Sequence, residues 1–421
     1  MKNDLKNLIG NRIQETTGTR KLTIKGETSN YTVCKIPLDL VHYNEKNGRI
    51  ATYISQYLTE GNKIDKSNLE EYNAVLQKFI ESSNKKALDT TKNNIGRFGQ
   101  RVPGVVLNDG RVIDGNRRFT CLRMLKDEGK DVYFEAVILD PNDGIDERDI
   151  KRLELNLQHA EERPVDYNPI DNLVDIYRDI VEEKLFTVAD YAENTNKKTK
   201  DIEMSLKKAE LMVQYLEYIN APNQYFIARD MELDGPLQEL VGILNKEFKK
   251  LDFKELNSPD FADKTVREEY LLIRNALFTT IFTNREVGDL TRYIREMGKS
   301  VIHSANREEF LDEYEEVVEE VYETLQSVEE VTVQTVKEIG KELEDIRKEG
   351  KAIIDKKIED TQIIAARKKP VDLLNQALGN LERIDLDQVE RLKDVEQEEF
   401  KLVFEKIKLN LEKFGEKLEV R

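Results

Sequence analysis

Two short apolar runs, residues 102–108 (VPGVVLN) and 111–114 (RVID), are joined by Asp109-Gly110. An Asp-Gly pair in that setting is a strong hairpin signal, because both residues tolerate the positive φ angles of a tight two-residue turn. Gly115 follows. After it, Phe119, Leu122, Met124 and Leu125 recur at helical spacing over 116–128, with Gly129 as a stop. A hairpin running directly into a helix commits this part of the chain to mixed α and β structure.

The flanking segments fit that frame. Residues 31–40 (YTVCKIPLDL) alternate apolar and polar before Pro37, and 131–140 (DVYFEAVILD) read as another strand. Residues 1–30 are polar and Thr-rich, an arm or an edge hairpin. The stretch 44–98 is polar, with one helical pattern at 69–80, and a helix over about 146–159 closes the unit. The expectation is a small α+β domain spanning residues 1–162.

Beyond Pro164 every periodicity is helical. Asn168-Pro169 opens a helix with Ile170, Leu173, Val174, Ile176, Tyr177 and Ile180 on its apolar side. Residues 185–212 read as helix, turn, helix. Thr187 caps the first helix with Asp190 three residues on, and Asn194-Thr195-Asn196 forms the turn. This gives a helix-turn-helix domain over 163–215. Amphipathic helices broken at Ala221-Pro222 and Gly235-Pro236 fill 216–305. In 306–421, Val318, Val321, Leu325 and Val328, then Val336, Ile339, Leu343 and Ile346, step by three and four as a coiled-coil seam does. Pro370 and the turn at 384–387 are expected to divide the remainder. The C-terminal half is thus read as elongated, helical and partly coiled coil.

Charge narrows the functional classes. The formal net charge of -17 argues against a general nucleic-acid binder, which needs clustered cations. Residues 301–421 hold 20 basic and 32 acidic residues, so most of the excess lies there and a local DNA-contacting patch nearer the N-terminus stays open. Cys34 and Cys121, the two cysteines, have no metal-ligand spacing. No apolar run approaches the ~18 residues of a membrane span, and the N-terminus lacks a signal-peptide core. The reading is a cytoplasmic protein with no membrane contact.

Gly115-Asn116-Arg117-Arg118 is the segment that carries chemistry. Glycine permits a sharp strand-to-helix turn, and a helix start offers unpaired N–H groups and the positive end of the helix dipole. Two arginines add fork-shaped donors suited to phosphate oxygens. Alternatively, Arg117 and Arg118 solvate the helix start or pair with Asp114. His42 and His303 have no sequence partners that suggest a site. Cys121 reads as a small buried residue.

The order of these pieces resembles the N-terminal domain of the ParB partition-protein family, which shares its fold with sulfiredoxin. Ile36-Pro37-Leu38 is similar to the family's strand ending in Pro-Leu. Gly99-Gln100-Arg101-Val102-Pro103-Gly104-Val105-Val106 resembles its G-x-x-Q-P-I-x-V segment, and Gly115-Asn116-Arg117-Arg118-Phe119-Thr120-Cys121 its G-E-R-R-x-x-A box. Leu155-Asn156-Leu157-Gln158-His159 looks like the E-N-I-Q-R box, and Tyr167-Asn168-Pro169-Ile170 the segment before the helix-turn-helix. The resemblance covers about residues 31–215.

That resemblance implies a CTP site with a Mg2+ ion. Gly99, Gln100, Arg101, Val102 and Pro103 would lie toward the base. Gly115, Asn116, Arg117, Arg118, Gln158 and His159 would hold the phosphates, and Asn156 would ligate the metal. It further implies a clamp or switch on DNA, and a homodimer. Lys197, Lys198, Thr199 and Lys200 would meet DNA at the leading edge of the recognition helix. Two departures matter. Leu155 replaces the Glu associated with hydrolysis, unless Glu154, Glu161 or Glu162 substitutes, and residues 115–118 lack the Cys that sulfiredoxin chemistry needs.

The leading reading is therefore a nucleotide-binding, DNA-associated switch or clamp, with CTP or another nucleoside triphosphate as ligand. One alternative is a nucleotide-dependent enzyme on the same fold: an NTPase, nuclease or kinase. Another is a defence or regulatory interaction module with a vestigial nucleotide site, its acidic C-terminal helices binding a protein partner.

Overall fold

The structure is a computed structural model that describes residues 4–159, 168–249, 251–284, 288–328 and 333–419. It has an N-terminal five-stranded mixed sheet followed by helices, an α+β arrangement. By contacts the chain divides into two compact units, 1–358 and 359–421.

The strands are β1 (Gln14–Ile24), β2 (Glu27–Ile36), β3 (Gly104–Leu107), β4 (Val112–Asp114) and β5 (Phe134–Leu139), in spatial order β1-β2-β5-β3-β4. All neighbours are antiparallel except β3 and β5, which run parallel with Val105 opposite Val137. Residues 14–36 form the hairpin at one edge, so the second strand begins at Glu27 and ends at Ile36, earlier than the 31–40 expected. The Asp109-Gly110 turn joins β3 to β4 as expected, with Gly110 at φ 93°. β3 reads GVVL with every residue buried, because helices cover both faces of the sheet and leave no side for alternation.

On one face, Cys34, Ile36, Val106, Val112, Phe134 and Ala136 pack with Tyr72, Leu76, Leu88, Phe119 and Leu122. The helices that supply these contacts are α2 (Leu69–Ser83), α3 (Lys85–Phe98) and α4 (Asn116–Asp127). On the other face, Leu22, Val33, Val105, Ile113 and Val137 meet Ile150 and Leu153 of α5 (Glu147–His159). A further helix, α1 (Ala51–Thr59), precedes α2. The polar stretch 44–98 therefore holds three helices where one was expected. Their burial is thin, with α3 covering only Leu88 and Ile95.

The helical part continues with α6 (Pro169–Tyr177), a π-helical turn at Arg178–Glu182, α7 (Val188–Thr195) and α8 (Thr199–Tyr218). Thr187 and Asp190 form the expected capping box, each side chain bonding the other's backbone N–H at 3.1 Å. Asn196 makes the turn in the left-handed region at φ 53°. Next come α9 (Tyr225–Asp230), α10 (Asp234–Glu247), α11 (Phe253–Asn257), α12 (Lys264–Thr283), α13 (Leu290–Met297), α14 (Arg307–Gln326) and α15 (Val333–Glu342). One core runs through them, including Tyr215, Leu216, Phe278, Ile281, Phe310 and Tyr314. Pro236 lies inside the first turn of α10, where its missing N–H costs nothing, so Gly235-Pro236 opens a helix and does not break one.

Two further expectations are corrected. Val321, Leu325, Ile339 and Leu343 are buried in this same core, so their three-and-four spacing serves intrachain packing and not a coiled-coil seam. Helix α16 (Glu344–Glu382) runs through Pro370 and is not divided by it. The helix leaves the Ala366 carbonyl without its usual donor there. Two helices, α17 (Leu386–Val389) and α18 (Asp394–Glu419), complete the chain. Among the described residues no helix is long and apolar enough to cross a membrane.

Candidate anion-binding cleft

The chain reverses direction at Gly115, between β4 and α4, with φ 102° and ψ 19°. A Cβ there would also stand 3.1 Å from the Phe134 ring and from the Arg118 guanidinium, so both backbone and packing demand glycine. Gly115 has no side chain to cap α4, so the N-cap residue itself satisfies none of the N–H groups of the first turn.

This turn forms one wall of a cleft of about 100 Å³. Asp114, Gly115, Asn116, Arg117 and Arg118 line it from one side, and Leu157 and Gln158 of α5 from another. Asn47 and Arg49, from the turn before α1, complete it with Ser83 and Thr91. Asn116 is 8% exposed, and its Oδ1 is buried without a hydrogen-bond partner among the described residues. Arg118 donates one terminal nitrogen to Asp114 at 2.9 Å, while its buried Nε has no hydrogen-bond partner among the described residues. Buried polar groups in that state are costly unless a ligand or water satisfies them.

Asp114 is held from two sides. Arg20 Nη1 donates to its Oδ2 at 2.8 Å and to the Pro103 carbonyl at 2.6 Å. The expected pairing of an arginine with Asp114 is thus real for Arg118, yet it occupies only part of the guanidinium. Among the described residues three arginines and one carboxylate line the cleft, a composition that favours an anion.

Arg49 was not legible as a site residue. The Asn47 side chain accepts from the Arg49 N–H at 3.1 Å and fixes the turn. Gly48 lies against Asp175, where any Cβ would overlap the carboxylate. The Asn47-Gly48 pair is a turn signal, but nothing local says that the turn docks on α6.

Beneath the cleft is a buried ionic network. Lys151 pairs with Asp179 at 3.2 Å, Asp175 at 3.4 Å and Glu154 at 3.7 Å, and Arg178 pairs with Asp175 and Asp179. Gln158 Nε2 donates to Glu154 Oε1 at 3.2 Å, joining the network to the cleft wall. Burial pushes the Asp179 carboxyl up to about 7. Asp171, which accepts from the Thr52 N–H at 3.0 Å, is likewise raised by burial to about 7. Burial opposes the charge on Asp175 too, but Lys151 and Arg178 hold it below the usual range.

The expected site residues separate into groups. Gly115, Asn116, Arg117, Arg118 and Gln158 converge on the cleft. The side chain of His159 lies outside the described residues, as do Glu161, Glu162 and Tyr167. Asn156 is half-buried and lies outside the cleft lining, while Leu155 is 1% exposed in a core with Ile176, Phe186 and Tyr191. Glu154 is committed to the buried network. Among the described residues no group of three or more His, Cys, Asp or Glu is placed to hold a metal ion.

Gly99, Gln100, Arg101, Val102 and Pro103 also lie outside the cleft lining. Gln100 bonds the Glu135 backbone in both directions, at 2.7 and 3.0 Å, and Arg101 stands 4.7 Å over the Phe98 ring. Lys197, Lys198, Thr199 and Lys200 are exposed at the start of α8. Cys121 is fully buried, its thiol pushed up to about 12 by burial, as a small core residue should be. No family model matches the chain, and no curated protein matches it.

Proposed function

We propose that this cleft binds the phosphates of a nucleoside triphosphate, with CTP as the favoured nucleotide, on a ParB/sulfiredoxin-like domain that acts as a DNA-associated switch. The observation that carries the reading is convergence. An uncapped helix start, the unpartnered Asn116 side chain and three arginines from two distant segments line one small cleft. A half-turn of the Asn116 amide exchanges Oδ1 for Nδ2 and presents two donors to an anion. The choice of CTP rests on the resemblance in motif order.

The lining supports binding over hydrolysis. Asp114 is the one carboxylate among the described lining residues, and Arg20 and Arg118 already neutralise it. Mg2+ would then be held chiefly by phosphate oxygens and water, as that ion commonly is. Neither Asn156 nor any described cluster supplies a cage. The exposed Lys197, Lys198 and Lys200 at the start of α8 support DNA contact of a sequence-tolerant kind, through phosphates and not bases.

Calorimetry of the full chain with CTP, ATP and GTP in the presence of Mg2+ tests the site. CTP is expected to bind tightest, and Arg117→Ala to weaken it roughly 10- to 100-fold, the loss of one charge-assisted hydrogen bond. Lys198→Ala should leave nucleotide binding unchanged while lowering affinity for duplex DNA and its salt dependence. Absence of heat with every nucleotide at millimolar ligand would end the proposal.

A further inference from the structure

Residues 359–419 contain no buried side chain among those described. Among the described residues 23 large hydrophobic side chains stand exposed, and seventeen of them lie in this stretch, at 37–81% exposure. At about 90 Å² each they expose roughly 1,500 Å² of apolar surface in total, spread over several faces of the helices. A stable dimer needs about 800 Å² from each partner. The same residues are near neutral, with 15 acidic and 11 basic side chains, whereas 301–358 carry 17 and 8. Strong self-repulsion is therefore absent where the apolar surface is.

On α18 the spacing is specific. Phe400, Phe404, Ile407, Leu411, Phe414 and Leu418 follow one another at intervals of 4, 3, 4, 3 and 4. That is an unbroken heptad seam about 27 Å long at 1.5 Å per residue. Read against itself in reverse, the seam is self-complementary. Phe400 faces Leu418 of the second copy, Phe404 faces Phe414, and Ile407 faces Leu411, so the two-fold axis generates six filled layers. The reverse direction is also the electrostatic choice. Asp394, Glu396, Glu398 and Glu399 crowd the start of α18. A parallel pair would bring eight carboxylates together, whereas the antiparallel pair sets Glu396 beside Lys417 and opposes the helix dipoles.

We infer that the occupant of this surface is a second copy of the chain, joined by antiparallel pairing of α18 with α18. The line Ile364, Val371, Leu374, Leu378 and Leu381 on α16 repeats the heptad spacing and offers a second apolar line of the same kind. The inference is independent of the nucleotide reading.

Sedimentation equilibrium of the full chain at about 10 µM should give twice the 49.0 kDa chain mass. Phe404→Glu with Leu411→Glu should return it to one chain mass, with nucleotide binding and the near-UV spectrum of the residue 1–358 core retained. Asn410→Cys, beside the axis, should crosslink to its own copy under mild oxidation, and Phe400→Cys at the helix end should not. Cys34 and Cys121 are buried and stay silent in this assay. A monomeric wild type, a dimer that survives the double substitution, or self-crosslinking through Phe400→Cys would each overturn the inference.

Discussion

Residues 1–358 and 359–421 differ in where their apolar side chains find partners. In the first unit Tyr215, Phe278, Tyr270 and Tyr314 are fully enclosed, and even Lys151, Asp175 and Asp179 are buried against one another. In the second, Phe404, Leu411 and Phe414 are about half exposed on a regular helix. Isolated helices are marginal in water and owe their stability to the packing of an apolar face. The first unit meets that requirement within one chain. In the proposed pairing the second meets it through association, so its stability should depend on concentration where that of the first does not.

The largest test of the contrast is a pair of identical truncations. Phe278→Ala removes a ring that packs 5.4 Å from Tyr215 and should cost about 3–5 kcal/mol at every protein concentration. Phe404→Ala should leave the main thermal transition of the dilute chain in place and shift only the dimerisation equilibrium. Equal, concentration-independent losses in urea titrations would mean that both rings sit in intrachain cores, and the comparison would fail.

Next in size is the response to pH. Asp171 is raised by burial from 3.8 to about 7, so the folded state holds its proton more tightly than the unfolded chain does. That contribution to stability is complete below the unfolded value and is lost as pH rises toward 7 and beyond. Between pH 5 and 8 the loss should be on the order of 2–3 kcal/mol. Asp171→Asn keeps an oxygen for the Thr52 N–H and should make the profile shallower by that amount, leaving the slope due to Asp179 and Glu210, which burial also raises to about 7. The dimerisation constant should show no such slope, because residues 359–419 bury no titratable side chain among those described. A pH-independent melting temperature in the wild type would remove Asp171 from the account.

What could be seen in advance tracks the range of the interaction. Thr187 with Asp190, Asp109-Gly110 and the Gly115 turn were legible because each is decided within four residues. The insertion of β5 between β2 and β3 was not, since strand order depends on contacts far apart in sequence. Half of the cleft was readable at Gly115–Arg118 and Gln158. Arg49 was hidden because Gly48 must first dock on Asp175, a contact across more than a hundred residues. Periodicity misled at Val321 and Leu325, because three-and-four spacing describes any helix that packs on another helix, in the same chain or a second one.

The smallest expected effect separates those two uses of the same spacing. Leu373 is 55% exposed and sits on the side of α16 opposite the line through Ile364, Val371 and Leu378. Leu373→Ala should change stability by less than ~0.5 kcal/mol and leave the dimerisation constant within about twofold, as a surface substitution away from contacts does. Leu378→Ala, five positions on and in the line, should weaken association by roughly tenfold without moving the main transition of the first unit. If both truncations act alike on association, the apolar surface is not organised into a seam, and the exposed residues of α16 serve something broader than helix pairing.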